Sequence, residues 1–265
     1  MLVLVLIGLV TGVTTVLFGF GGGFVTVPVI LWAEAGLGDT AAQVAVATSA
    51  AVMLINAAVA TAATPGTVLR RLRRAPVLLV LLGFGGIAGA LLARHVPGAA
   101  IQWGFVTYLV VTIIDVLLRP GFVRPKAPPP TYPQRQFAIP TPLGLPIGAT
   151  AAFLGVGGSV MTVPLLRRAG ERMEVATTLA NPLTLAISLP AALTFLAAGG
   201  PESTSGTALV GSVDVAAALA LLLGALPVIV ILRQRPPRLS DRVHAVSYVF
   251  LLVAVTITTA AAAPR

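Results

Sequence analysis

The decapeptide GFGGGFVTVP at residues 19–28 returns as GVGGSVMTVP at residues 155–164, with six of ten positions identical. Neither copy holds a thiol, an imidazole or a carboxylate, so the chemistry on offer is that of hydroxyls and bare backbone. A glycine cluster followed by proline inside apolar sequence interrupts a helix. A helix that restarts after the glycines points unpaired N–H groups and the positive end of its dipole at the break. Glycine lets an anion approach that backbone closely. The candidate binding residues are therefore Gly21, Gly22, Gly23 and Thr26 in the first copy, and Gly157, Gly158, Ser159 and Thr162 in the second. Pro28 and Pro164 are expected in the first turns, where a missing N–H costs little. The same glycines also suit tight hairpin packing with no ligand, and the residues alone leave both readings open.

Small polar residues follow each motif. The first half reads AVATSAAVMLIN over residues 45–56 and the second EVATTLANP over residues 174–182. Aligning the two VAT triplets pairs Thr48 with Thr177 and Ser49 with Thr178. Thr48, Thr177 and Asn181 form a second tier of candidates, with Asn56 and Gln43 behind them; interhelical packing through hydroxyls is the competing explanation. Asn181 precedes Pro182 within an apolar segment, which implies a distortion that frees backbone carbonyls. Ionisable residues inside membrane segments are functional candidates, so Asp115 and Asp214 are considered for proton coupling. Asp115 also stands four residues before Arg119, the spacing of a helical ion pair. His95 and His244 fall near segment ends and read as interfacial.

Catalysis has little to work with. There is no cysteine, no HExxH, no central histidine and no central carboxylate pair, so an intramembrane enzyme is disfavoured and no metal or other cofactor is expected. Hydrophobic residues make up 57% of the 265 and charged ones 9%, the balance of a polytopic helical membrane protein embedded in a lipid bilayer. A net charge of +9 would suit nucleic acid, but the basic residues lie in short loops between apolar runs, where they report topology. Residues 1–17 lack a basic leader and a cleavage site, and are read as part of the mature protein.

These residues must be positioned by ten apolar segments: 1–18, 24–32, 40–63, 76–93, 99–118, 139–154, 160–166, 175–198, 207–232 and 243–263. Six are long enough, or nearly so, to cross about 30 Å of hydrocarbon. The four flanking the glycine motifs are short and read as hairpins that enter the bilayer, turn near its middle and leave on the same side. With that count, 15 of the 17 Lys and Arg residues face the cytoplasm, and only Arg94 and Arg265 do not. Single crossings would instead set Arg167, Arg168 and Arg172 opposite the basic run at 119–135. The halves then start on opposite faces, an inverted-topology repeat. The expected fold is an all-α polytopic membrane protein: a first repeat over 1–118, a basic, proline-rich cytoplasmic linker over 119–136, and a second repeat over 137–264. Each repeat holds one glycine-tipped hairpin and three transmembrane helices, with both termini outside.

Twin G-x-G-G motifs running into V-P, each opening one half of a chain of this length around a charged central loop, resemble the TauE/SafE-type sulfite exporter family. The resemblance implies transport of sulfite or a related small sulfur-containing or organic anion across the bacterial cytoplasmic membrane, with no cofactor, and is compatible with proton coupling. Ser159 stands where the family more usually has glycine. A passive anion channel and a non-transporting scaffold are the alternatives, and the oligomeric state, a homo-oligomer included, is left open.

Overall fold

A computed structural model describes residues 1–123, 139–197, 209–235, 237 and 239–262 of the chain. Most of the expected linker (124–136) and the loop at 201–206 lie outside the described residues. The elements are nearly all helical: α1 (Leu2–Phe18), α2 (Gly23–Ala33), α3 (Ala41–Ala62), α4 (Gly66–Leu72), α5 (Pro76–Ala93), α6 (Gly98–Leu118), α7 (Gly144–Leu154), α8 (Ser159–Arg168), α9 (Met173–Ala197), α10 (Val215–Gln234) and α11 (Asp241–Ala261). Six of them, α3, α5, α6, α9, α10 and α11, are long and apolar enough to cross a membrane. The protein is a multi-pass helical membrane protein.

The hairpins end where glycine permits it. α1 stops at Gly19 (φ 73°), whose N–H reaches back to the Thr15 carbonyl at 3.0 Å. α7 stops at Gly155 (φ 67°), and Val156 N–H donates to Ala151 O at 3.0 Å. Both are left-handed caps that only glycine adopts cheaply. The returning arms α2 and α8 have 11 and 10 residues, about 15 Å each at 1.5 Å per residue, half of the hydrocarbon thickness. α7 is equally short at 11 residues, whereas α1 has 17 and reaches farther.

Pro28 and Pro164 occupy the sixth helical position of α2 and α8, not the first turn as expected, because each helix begins directly after its glycines. A proline there leaves the carbonyl four residues earlier without its intrahelical donor. At Val160 the Tyr248 hydroxyl stands in, donating to the Val160 and Ser159 carbonyls at 3.4 Å each.

Packing pairs the halves crosswise. α1 lies against α10 and α5 against α7, while α3 and α9 meet at the centre. Each lateral pair is sewn by glycines at which a methyl would strike backbone: Gly8 on Leu221 O, Gly12 on Ala225 O and Gly224 on Val5 O in one; Gly85 on Leu145 O, Gly89 on Ala149 O and Gly148 on Leu82 O in the other. Contact numbers rise together along both helices, so each pair runs parallel. Small residues that let backbones touch are the usual adhesive between membrane helices. The hydrophobic windows of α3 and α9 are 67% and 61% buried, against 33–39% for the other four spans, so these two form the axis and the rest face outward.

The basic ends converge on one face. Arg71 of α4 bonds Glu171 at 2.7 Å, and Arg168 of α8 bonds Asp115 of α6 at 2.5 Å. Fully buried Arg167 holds Asp241 of α11 through paired contacts of 2.9 and 3.1 Å. Arg168 and Arg119 thus share one carboxylate, an arrangement compatible with hairpins at the motifs. α5 leaves this face and α10 returns to it; by parallel packing α7 leaves it and α1 approaches it.

The segment expected to be apolar over 207–232 is divided. Leu209–Val210 and Val213–Asp214 form a small antiparallel hairpin turning at Gly211 (φ 60°). Helix α10 starts only at Val215, because the Asp214 carboxylate caps it by accepting the Ala217 N–H at 2.9 Å.

Candidate functional site

The two glycine tips meet between α3 and α9. A methyl on Gly23 would lie 2.6 Å from Gly155 O, and one on Gly157 would lie 3.2 Å from Phe20 O. Met53 and Thr184 flank the junction on opposite sides: the Cβ position of Gly21 is 3.0 Å from the Thr184 methyl and 3.5 Å from Met53, and that of Gly157 is 3.1 Å from each side chain. Gly21 and Gly157 share a left-handed backbone (φ 62° and 70°). The next glycine differs, since Gly22 remains left-handed (φ 92°) while Gly158 is right-handed (φ −73°).

Each returning helix opens its N-terminus at this junction. The first N–H groups of α2 and α8 have no intrahelical partner, and their dipoles add positive potential. Gly22 O collects the N–H groups of Val25 and Thr26 and also the Thr26 hydroxyl, at 2.9–3.2 Å. In the second tip Gly158 O takes only backbone donors, from Met161 and Thr162. The hydroxyls of Ser159 and Thr162 are both fully buried and have no hydrogen-bond partner. Donors with nothing to bond are therefore concentrated on the second tip.

The polar lining extends onto the axial helices. Asn56 of α3 has neither amide atom bonded and lies 2.8 Å from the Cβ position of Gly22, which Thr11 of α1 also crowds. On α9, Asn181 Oδ1, Thr184 Oγ1 and Ser188 Oγ are buried and unpartnered. Leaving a buried polar atom unpaired costs about 1–3 kcal/mol. Six such residues on three elements, with no ionised side chain among them, form a neutral donor-rich environment suited to a small anion.

Other expected residues are placed elsewhere. Thr48 accepts the Asp214 N–H at 2.9 Å, whereas its neighbour Ser49 reaches the second tip, donating to Gly155 O at 2.7 Å. Thr177 donates to Glu174 O at 3.2 Å, and its own carbonyl backs Gly19 and accepts Asn181 Nδ2 at 3.3 Å. The contacts also revise the alignment of the halves. Gly19 rests on Thr177 as Gly155 rests on Val46, and Met53 is matched by Thr184. Thr48 then corresponds to Leu179, two residues off the VAT match, a rotation of about 200° around the helix.

Asp115 lies in an ion-pair clamp with Arg168 and Arg119 at the basic face, about 14 Å along α8 from Ser159 by helical rise. Asp214 is buried at the opposite end of α10, beside Glu34 at the C-terminus of α2. Burial first, then the hydrogen bond and charge of Asp214, push the Glu34 carboxyl above the ordinary carboxylate value.

Thr184 and Ser188 were not singled out from the sequence, though a signal existed. Thr177, Asn181, Thr184 and Ser188 recur at intervals of four, three and four, a polar stripe on one face of an apolar helix. Met53 carried no such signal, being one apolar residue among many.

No curated protein and no solved structure matches the chain significantly. The family model described as "Sulfite exporter TauE/SafE" matches residues 4–259, nearly the entire chain and both glycine tips. A chain of 265 residues matched over that length, and folded around the two motifs, belongs to the sulfite exporter TauE/SafE family.

Proposed function

We propose that this protein is a secondary carrier that moves sulfite, or a related small sulfur-containing or organic anion, across the bacterial cytoplasmic membrane. The observation that carries the reading is the junction of two helix N-termini lined by unpartnered hydroxyl and amide groups. Backbone N–H groups and neutral side chains would replace the hydration of an anion without burying a fixed counter-charge. Gly21, Gly22, Gly23, Gly157, Gly158, Ser159 and Thr162 form the core of the proposed site, with Asn56, Asn181 and Thr184 around it; Thr26 and Thr177 support them through backbone contacts, while Thr48 lies outside the site on the Asp214 N–H.

Transport proceeds by alternating access. Crosswise pairing of α1 with α10 and of α5 with α7 supports two inverted repeats that rock about the α3–α9 axis. A cavity of about 530 Å³ at the arginine-bearing face reaches Thr177, immediately behind the first tip. At the other face Gln43 ties α3 to the α5–α6 turn through the Arg94 and Val96 carbonyls, at 3.3 and 3.4 Å. By the positive-inside rule the open side is cytoplasmic. Proton coupling, where present, is assigned to Asp214 with Glu34, which share the opposite end. The protein carries no catalytic function in this reading.

The test is flux of labelled sulfite in proteoliposomes, with and without an imposed pH gradient. Saturable, gradient-responsive flux supports a coupled carrier. Flux that never saturates and follows only the electrochemical potential would make the protein a channel, and absence of flux for sulfite, thiosulfate and small carboxylates would leave a scaffold.

A further inference from the structure

The cavity at the basic face contains a cation that the proposed binding site does not use. Arg233 closes the last turn of α10 and lines the cavity together with Arg172, Thr177 and Thr178. Its Nε and Nη2 atoms are buried and have no hydrogen-bond partner. An arginine at a helix end normally carries its head to water, so two guanidinium nitrogens withheld from water and unbonded in a half-buried side chain need another reason. Two acid–base groups share the cavity: Glu174, which is exposed, and His244, whose ring is bonded to the Leu17 carbonyl.

The exchange of halves sharpens the point. The correspondence that sets Gly12 on Ala225 and Gly148 on Leu82 matches Arg233 with Ala90. The one that matches Met53 with Thr184 pairs Arg172 with Ala41, Thr177 with Val46 and Thr178 with Ala47. Two arginines and two hydroxyls on one side of the tips thus answer to three alanines and a valine on the other. The positive-inside rule accounts for arginines at this face, but not for the two hydroxyls beside them or for guanidinium nitrogens left buried and unbonded.

We propose that Arg233, with Arg172 beside it, forms a one-sided oxyanion-binding vestibule that gathers the anion at the basic face and delivers it past Thr177 to the glycine tips. It rests on the carrier reading and adds to it a sidedness of affinity. Guanidinium groups recognise oxyanions through charge-assisted, geometrically matched N–H donors. The same chemistry would hold the phosphate of a lipid headgroup, and the test separates the two sources.

The experiment compares the wild type with Arg233→Gln and Arg233→Lys as full-length chains in sided proteoliposomes. Sulfite is presented at one face at a time, in phosphatidylcholine alone or with phosphatidylglycerol. Arg233→Gln is expected to raise KM at the basic face about tenfold, the loss of one charge-assisted contact, with little change in kcat. KM at the opposite face should be unchanged, and Arg233→Lys should recover most of the loss. An unchanged KM, or an equal rise at both faces, overturns the vestibule. A difference confined to phosphatidylglycerol vesicles assigns Arg233 to lipid and overturns it too. If the wild type passes no sulfite, the carrier reading fails by itself, and sulfite-dependent thermal stabilisation in phosphatidylcholine nanodiscs decides the vestibule. Stabilisation of the wild type that Arg233→Gln loses supports it; equal stabilisation of both, or none in the wild type, overturns it.

Discussion

Met53 of α3 and Thr184 of α9 stand in exchanged positions, each touching the Cβ positions of both Gly21 and Gly157. An apolar thioether and a hydroxyl thus occupy equivalent places on the two sides of one junction. Similar backbones carry different chemistry, and the polar side belongs to the second half.

The third glycine of each motif should respond differently to a methyl group. Gly22 is left-handed, which costs an L-residue about 1–2 kcal/mol, and its Cβ would lie 2.3 Å from Thr11 and 2.8 Å from Asn56. Gly158 has an ordinary φ of −73°, and its nearest obstacle at 2.6 Å is the tip of the Ile187 side chain. Gly22→Ala should therefore lower the thermal midpoint of the purified protein well beyond Gly158→Ala. Leucine at either position should abolish sulfite flux, and retained flux in both leucine variants would remove the tips from the site.

Stability and transport should separate at the unpartnered hydroxyls. Ser159→Ala and Thr184→Val each delete a buried oxygen that bonds nothing, a change that is neutral or stabilising when the cavity is refilled. Both variants should keep or raise the unfolding midpoint while increasing KM for sulfite. A fall in midpoint with KM unchanged would mark these hydroxyls as structural.

Two of the carboxylates at the basic face, Asp241 and Asp115, should differ in weight. Asp241 pairs with an arginine that is 0% exposed, and it also accepts the Met173 N–H at 2.7 Å. Asp241 is itself 30% exposed and Arg167 keeps the Phe122 and Glu171 carbonyls, so Asp241→Ala should lower the midpoint by the loss of charge-assisted bonds to a buried arginine, about 1.5–3 kcal/mol. Asp115 pairs with arginines whose side chains are 21% and 72% exposed, where ion pairs contribute about 1 kcal/mol or less. Asp115→Asn should change the midpoint little, and thermal unfolding of the two variants side by side measures the contrast.

Glu34 should give the fold a pH dependence of known sign. Its carboxyl is raised above 4.5 by burial and by Asp214, so the folded chain holds that proton more tightly than the unfolded chain. The stabilisation is complete below 4.5 and is lost as pH rises through the raised value. Thermal midpoints of the wild type should decline across that window, and Glu34→Gln should lack this component. Superimposable pH profiles would show that the fold does not raise the Glu34 carboxyl.

Much of the architecture was legible in order. Hydropathy over about 20 residues marks a span, because a bilayer leaves the backbone no choice but internal hydrogen bonding. The duplicated glycines marked the hairpins, since few other residues end an apolar helix in a left-handed turn. Loop arginines pointed to a hairpin at each motif, and the Arg168–Asp115 contact is compatible with that count.

Tertiary structure alone decided which polar atoms are left unsatisfied. Thr26 and Thr162 occupy the same place in the repeat, yet one hydroxyl is spent on Gly22 O and the other has no partner. The VAT match is real as a string but lies about 200° away from the structural correspondence, because helix packing aligns faces and not letters. Asn56, Thr184 and Arg233 acquire meaning only from what surrounds them: a glycine tip, a facing methionine, a cavity whose arginine and hydroxyl positions are apolar in the other repeat. A linear chain specifies which groups exist and where helices can end. Which groups are withheld from water without a partner depends on neighbours distant in sequence, and only the packed fold brings those neighbours into place.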